Sequence, residues 1–207
     1  MKTVTKMIKL YEFKELSEKA QEKVIYDTEC NDLFFDDELK NVLENFEEVF
    51  NIKVTEWNID NNYFRYQSNN YYEEVENLNG IRLLKYLINN FYNDLFKDKY
   101  YSKSYYKNNK FILKSRNSKI IKDNCCTLTG VCYDNDILKP IYDFIKNPNE
   151  NISFSYLIEK CLYSWIESYK NNYENYYSKE NIKELSEINN WYYLEDGKFY
   201  GCVEGDS

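Results

Sequence analysis

The sequence predicts an α+β fold, with several amphipathic helices packed on small antiparallel sheets and a hairpin near the C-terminal end. Two patterns indicate this class. Apolar residues recur at helical spacing in several segments, whereas β-branched and aromatic residues cluster around turn residues in others. Because the 207 residues contain no repeat and no long linker, we expect one compact unit over 1–207. A subdivision into 1–96 and a mainly helical 123–207, joined by the basic segment 97–122, stays open.

The first fifty residues predict one strand and two helices. Partial alternation predicts a strand over 3–13, and Ser17 is the expected start of the first helix. The second helix begins at Asp36 or Asp37 and has a strong amphipathic stripe. Its apolar positions are Leu39, Val42, Leu43, Phe46, Val49 and Phe50. The residues expected on its opposite, negative face are Glu44, Glu47 and Glu48.

The middle of the chain predicts a hairpin, a helix and a further strand. β-branched and aromatic residues over 52–67, interrupted by Asp-Asn-Asn at 60–62, favour the hairpin. A helix follows Gly80 and runs over 81–96, with Ile81 counted among the residues on its apolar face. We expect a strand at 111–113.

The last third predicts three helices and a hairpin. Asp134 or Asn135 is the expected cap of the first helix, in which Pro140 has to lie near the first turn or introduce a kink. Ser153 and Ser178 are placed to cap the other two. The residues expected to face inward on the helix after Ser153 are Phe154, Leu157, Ile158, Cys161, Leu162, Trp165, Ile166 and Tyr169.

The strongest hairpin signal is Asp196-Gly197 between two aromatic runs. Glycine accepts the positive φ that a type I′ turn requires, so this dipeptide predicts a type I′ hairpin. Trp191 to Leu194 and Lys198 to Tyr200 are the two strands that we expect it to join.

Composition excludes much chemistry. The chain has no histidine, so there is no Ser-His-Asp or Cys-His triad and no histidine-ligated zinc. Five glycines do not build a phosphate loop or a dinucleotide fingerprint. We therefore expect no enzyme activity, no cofactor and no bound metal. A metal-dependent activity of the acidic cluster Asp36-Asp37-Glu38 with Lys40 stays open as an alternative.

The six cysteines predict buried thiols in a reducing compartment. No apolar run has the length of a signal peptide or a membrane helix, so we expect a cytoplasmic protein with no membrane contact. No Cys-x-x-Cys pair is present, and cytosolic thiols stay reduced.

Charge is distributed unevenly along the chain. The net charge is −8, but residues 97–122 carry nine basic residues against one acidic one. Lysines there could neutralise phosphates and tyrosines could stack on bases. The candidate nucleic-acid-binding residues are Lys103, Tyr105, Tyr106, Lys107, Lys110, Lys114, Arg116 and Lys119. Neutralisation by the chain's own acidic body and contact with a protein partner stay open as alternatives.

Tyrosine is in large excess, with 23 residues, and we expect some of these rings at the surface. Tyrosine is favoured at interfaces because it combines a large contact area with a polar tip. A second candidate partner-binding patch, in addition to the acidic residues of the second helix, is formed by Tyr173, Tyr176 and Tyr177.

Several motifs resemble a family of small phage and prophage proteins that are sometimes labelled antitoxin-like. The motifs are Leu10-Tyr11-x-Phe13-x-Glu15-Leu16-Ser17-Glu18-x-Ala20, Leu128-Thr129-Gly130-x-Cys132-x-Asp134, Tyr173-Glu174-x-x-Tyr177-Ser178 and Asn190-Trp191-Tyr192-Tyr193-Leu194-x-Asp196-Gly197. The resemblance implies a phage-encoded protein that acts in the cytoplasm of a bacterial host, with a counter-defence role such as CRISPR-Cas inhibition. It implies no catalytic residue.

The leading hypothesis is a non-enzymatic inhibitor of the anti-CRISPR type, which binds a Cas effector or another host nuclease. Such effectors hold nucleic acid in positive channels, for which an acidic surface competes. The residues expected to bind are Glu44, Glu47 and Glu48, with Tyr173, Tyr176 and Tyr177 as a second patch. One alternative is a nucleic-acid-binding accessory protein that uses residues 97–122; another is an antitoxin-like neutraliser of a basic toxin.

Overall fold

A computed structural model describes residues 6–31, 36–69, 73–96, 102–107, 110–115, 127–130 and 133–202. The fold is α+β, as the sequence predicts. The chain divides into two compact units. Unit 1 comprises Met1–Phe34 and Asn171–Ser207, and unit 2 comprises Phe35–Lys170.

Helices and three separate two-stranded antiparallel sheets make up the described part of the chain. The helices are α1 (Glu18–Asn31), α2 (Asp36–Phe50), α3 (Glu73–Glu76), α4 (Gly80–Phe96), α5 (Tyr133–Lys146), α6 (Phe154–Tyr176) and α7 (Lys179–Ile188), and a 3-10 turn spans Phe13–Glu15. The strands are β1 (Ile52–Asn58), β2 (Tyr63–Ser68), β3 (Ser102–Lys107), β4 (Lys110–Ser115), β5 (Trp191–Tyr193) and β6 (Phe199–Cys202).

The core of unit 2 is built by the two apolar stripes that the sequence predicts. All eight residues expected to face inward on α6 are buried, as are all those on α2 except the half-buried Val49. The Trp165 indole N–H donates to the Leu39 carbonyl at 3.0 Å, which joins α6 to α2. The β1–β2 hairpin packs on α6 through edge contacts of Trp57 with Trp165, at 5.3 Å between ring centroids, and of Phe64 with Tyr163, at 4.6 Å. Ile81 is 53% exposed, so its predicted place on the apolar face of α4 is wrong.

Pro140 lies in the interior of α5 and not in its first turn. A proline lacks the N–H that would bond the carbonyl four residues earlier, which is that of Asp136. The Ser164 hydroxyl of α6 donates to this carbonyl at 2.6 Å, so the acceptor freed by the proline is satisfied by a neighbouring helix.

Asp134 holds the loop that precedes α5 instead of capping the helix. Its buried carboxylate accepts hydrogen bonds from the backbone N–H groups of Leu128, Thr129 and Gly130, at 2.8–3.1 Å, and from the Thr129 hydroxyl at 2.7 Å. The predicted capping role is therefore corrected: the donors belong to the preceding loop.

Unit 1 contains α1, α7, the 3-10 turn and the β5–β6 hairpin. Its buried core consists of Phe13, Leu16, Ala20, Val24, Ile182 and Tyr193. The strand predicted over 3–13 does not form in the described residues 6–13. Tyr11 alone makes a bridge, exchanging two 2.9 Å backbone hydrogen bonds with Tyr193, and the 3-10 turn begins at Phe13. Ser178 caps α7 as predicted, with its hydroxyl accepting from the Asn181 N–H at 3.3 Å.

The cysteines follow the sequence prediction only in part. Cys161 is buried in α6, and burial raises the pKa of its thiol. Cys30 and Cys202 are exposed, which corrects the expectation of buried thiols at these positions. In the part of the chain that the structure describes, no helix is both long and apolar enough to cross a membrane.

Candidate functional site

A cavity of about 670 Å³ opens within unit 1 between α1, α7 and the β5–β6 hairpin. This volume lies in the range of about 300–1,000 Å³ that is typical of ligand sites. Four of its twelve lining residues are aromatic, and we name it the aromatic cavity.

The floor of the aromatic cavity is part of the unit 1 core. Val24 and Tyr193 both line the cavity and are almost fully buried. The Tyr193 hydroxyl shares a 2.7 Å hydrogen bond with the Ser186 hydroxyl, and burial raises the pKa of this phenol. Because the Tyr193 ring is also packed edge-on against Phe13, the floor is fixed before any partner binds.

One wall of the aromatic cavity is the β5–β6 hairpin. Phe199 stands edge-on to Trp191 and to Tyr193, with 5.9 Å between ring centroids in both pairs. Phe199 is nevertheless 53% exposed, so a large apolar surface remains available on a ring that is already held in place.

The turn of this hairpin is held against α1. Gly197 has a φ of +82°, and a Cβ at this position would lie 2.5 Å from the Ala20 carbonyl oxygen, so only glycine fits. The Lys23 ammonium binds the Asp196 carboxylate at 3.3 Å. The pKa of Asp196 is lowered, first by the backbone N–H of Lys198 and then by Lys23. Asp196 does not have a positive φ, so the turn is not the predicted type I′ turn.

Of the three predicted patch tyrosines, only Tyr176 lines the aromatic cavity. Tyr177 is buried, and its ring centroid lies 4.9 Å from that of Tyr176. This corrects the prediction of Tyr177 as a surface residue. Tyr173 packs on Tyr177 at 5.0 Å and donates its hydroxyl to Glu29 at 2.6 Å. Tyr173 and Tyr177 are therefore supports of the cavity wall.

The rim of the aromatic cavity is polar. Asn31 and Asn189 each donate their side-chain amide to a carbonyl of their own helix, at 2.6 and 2.8 Å, which restrains both side chains. Asp27 and Lys198 add one charge of each sign. Among the residues that the structure describes, neither side chain forms an ion pair, so both stay available to a partner.

The predicted acidic patch on α2, in unit 2, is smaller than expected. Glu44 and Glu48 are exposed, but Glu47 is buried. Its carboxylate accepts from the Val54 N–H at 2.7 Å and from the Lys53 ammonium at 2.6 Å, and this contact raises the pKa of Lys53. Glu47 is thus a structural residue that binds β1 to α2, which corrects its expected place on the exposed negative face of the helix.

The backbone of the basic segment forms part of a hairpin, and the predicted strand at 111–113 lies in β4. Lys103, Tyr105, Tyr106 and Lys107 are on β3, while Lys110 and Lys114 are on β4. The side chains of these residues, and Arg116 and Lys119 entirely, lie outside the described residues.

Two groups of rings at the surface are not predicted as binding residues from the sequence. The half-buried Trp191 and the exposed Phe199 are predicted only as strand residues, and their common site depends on a fold that periodicity does not reveal. Tyr156 and Tyr163 are exposed on α6, and their i, i+7 spacing opposite the apolar stripe was the available signal.

Within the described ranges, no three Cys, Asp or Glu side chains gather in a way that could hold a metal ion. Comparison with protein-family models, curated proteins and solved structures finds no match to this chain. The resemblance to small phage proteins stays a prediction. Function has to be argued from the site itself.

Proposed function

We propose that this chain is a non-catalytic inhibitor that binds a bacterial defence nuclease, of the anti-CRISPR type. The observation that carries the binding role is the aromatic cavity of unit 1. Its partner is expected to be a protein with a cationic surface and a projecting apolar side chain.

The shape and the lining of the cavity support protein docking. Interface hot spots are apolar or aromatic anchors that enter a rigid pocket with a polar rim. The buried floor at Val24 and Tyr193, the half-exposed Phe199 and the restrained rim amides meet this description. A single anchor of this kind contributes about 2–4 kcal/mol to binding.

The charge of the chain supports a cationic partner. The net charge is −8, and the described residues of unit 1 carry eight lysines against twelve carboxylates. Nucleases guided by RNA hold nucleic acid in positively charged channels. An acidic protein is steered towards such a channel, which raises the association rate at low salt.

The test is inhibition of DNA cleavage by purified, guide-loaded CRISPR nucleases. Phe199→Ala removes a cavity ring, and Tyr200→Ala is the matched control, since Tyr200 is a neighbouring ring that is 50% exposed and does not line the cavity. We expect at least tenfold weaker inhibition by Phe199→Ala and no change with Tyr200→Ala. Inhibition of none of the nucleases, or equal inhibition by both variants, contradicts the proposal.

A second candidate function is nucleic-acid binding by the β3–β4 hairpin, and its strand register favours it. Lys103 pairs with Lys114 and Lys107 pairs with Lys110, so like charges occupy directly opposite positions. Such pairs are unfavourable unless an anion neutralises them, and a phosphate backbone supplies that anion.

Fluorescence anisotropy with labelled single-stranded DNA at increasing salt tests this candidate. We expect binding at low salt that weakens steeply as salt rises, and that is lost in Lys103→Glu/Lys107→Glu. The absence of binding at about 50 mM salt excludes it.

A further inference from the structure

Three of the described helices end at the aromatic cavity of unit 1. Thr28 and Asn31 line the cavity from the last turn of α1. Tyr176 is the last residue of α6, and Asn189 directly follows the last residue of α7. The C-terminal end of a helix carries a partial negative charge, which a basic side chain in the last turn offsets. The last turns of these helices, all of which the structure describes, contain no basic residue, so none of the three negative ends is offset by its own helix.

The hydrogen-bonding groups around the cavity are mainly acceptors. Thr28 donates its hydroxyl to the Val24 carbonyl at 2.8 Å, and the amides of Asn31 and Asn189 donate to their own helices in the same way. The side-chain oxygens of these three lining residues keep lone pairs that can accept from a ligand. Asp27, one turn before the end of α1, adds a half-buried carboxylate that forms no ion pair within the described ranges. This lining favours a ligand that donates several hydrogen bonds.

The rings of the cavity favour a particular kind of donor, a planar cation. The aromatic lining residues are Tyr176, Trp191, Tyr193 and Phe199. Aromatic faces attract cations through the ring quadrupole, and tryptophan does so most strongly. The guanidinium group of arginine stacks on such faces and carries several N–H donors in one plane, whereas the ammonium group of lysine is a compact and strongly hydrated charge. Rings combined with acceptors therefore favour a guanidinium over an ammonium.

We infer that the aromatic cavity binds an arginine side chain of a partner protein. The inference deepens the proposed function and rests on it for the identity of that partner. The apolar part and the positive charge expected of the partner then belong to one residue, whose aliphatic stem packs on the rings while its guanidinium pairs with Asp27. Lys198 lines the cavity with the opposite charge, but it is exposed, so solvent screens it more than the half-buried Asp27. Arginine is also enriched among interface hot spots.

Fluorine NMR of the purified chain, labelled with 5-fluorotryptophan, tests the inference without a nuclease, so its failure is distinguishable from failure of the proposed inhibition. The probes are the N-acetyl amides of arginine, of lysine and of norleucine, which is unbranched and uncharged. We expect the arginine probe to shift the Trp191 signal with a dissociation constant below about 10 mM, and the other two probes to bind at least about threefold more weakly. The signals of Trp57 and Trp165, which belong to unit 2, should not move.

Two charge variants with opposite expected effects test the role of Asp27. Asp27→Asn should weaken binding of the arginine probe at least about threefold, whereas Lys198→Gln should strengthen it, because a repelling charge is removed. Glu22→Gln is the matched control for Asp27→Asn, since Glu22 is an exposed acid of α1 that does not line the cavity, and circular dichroism confirms that each variant is folded.

Four results would overturn the inference. They are an unmoved Trp191 signal, equal binding of the norleucine probe, equal effects of Asp27→Asn and Glu22→Gln, and weaker binding in Lys198→Gln. Tighter binding of free L-arginine than of its N-acetyl amide would also overturn it, because the cavity would then be a site for a free amino acid and not for a side chain of a protein.

Discussion

Replacing Gly197 by alanine should loosen the wall of the aromatic cavity. The added Cβ would lie 2.5 Å from the Ala20 carbonyl oxygen, well inside ordinary van der Waals contact. Because the atom that it meets is backbone, either the hairpin turn or α1 has to move. We expect the β5–β6 hairpin to shift away from α1 and to take the Lys23–Asp196 ion pair with it.

The expected loss of folding stability in Gly197→Ala is the sum of two free-energy costs. A residue with a Cβ at a φ of +82° costs about 1–2 kcal/mol. The close approach adds about 1–3 kcal/mol, the usual cost of overpacking. Gly201→Ala is the matched control, since Gly201 also has a positive φ, which costs an alanine about 1–3 kcal/mol, but has no atom within 4 Å of its added Cβ. Gly197→Ala should cost about 2–5 kcal/mol in total and be the less stable variant, because it alone brings a Cβ against backbone atoms.

The assay is urea unfolding, monitored by fluorine NMR of protein that is labelled with 5-fluorotryptophan. Trp191 is the tryptophan of unit 1, and Trp57 and Trp165 belong to unit 2, so the two units report separately. The Trp191 midpoint should fall more in Gly197→Ala than in Gly201→Ala. Equal midpoints in the two variants would refute the close packing of the turn on α1.

Three further predictions concern unit 2. Glu47→Ala should lower the free energy of unfolding by about 1–3 kcal/mol, because a buried N–H loses its acceptor, whereas Glu48→Ala should change it by less than about 0.5 kcal/mol in the same urea experiment. Asp134→Ala should cost about 2–4 kcal/mol by thermal unfolding, because four donors lose one carboxylate; a change under about 1 kcal/mol would contradict this. Burial, followed by Glu159 and Glu76, raises the pKa of Tyr66 to about 12 from an ordinary 10.0. The folded state therefore favours the neutral phenol, and the stability that this shift contributes is present below pH 10 and is lost as the pH rises towards 12. In a titration followed by absorbance at 295 nm, one tyrosine should ionise later than the others, and this late step should be missing in Tyr66→Phe.

Local periodicity explains why most helices could be predicted. The stripes of α2 and α6 consist of residues three and four positions apart, and any helix with that pattern has to bury them. The Ser153 and Ser178 caps are local as well, because each hydroxyl binds an N–H three residues along the chain. No distant contact is needed to predict these features.

The errors in the prediction come from contacts that are distant in sequence. Glu47 is buried because the Val54 N–H of β1 approaches it, and a helix considered alone does not contain that donor. Tyr11 forms one bridge with Tyr193, far along the chain, so its segment is not an extended strand. The aromatic cavity likewise combines α1 with a C-terminal hairpin, which short-range patterns do not bring together.

Hydrogen–deuterium exchange of the complex with a guide-loaded nuclease that it inhibits tests the central claim most directly. If the aromatic cavity takes an anchor of the partner, the backbone amides of Phe199–Cys202 and of the last turn of α1 become protected on binding. Protection confined to residues of unit 2, with exchange at the β5–β6 hairpin unchanged, would contradict the claim.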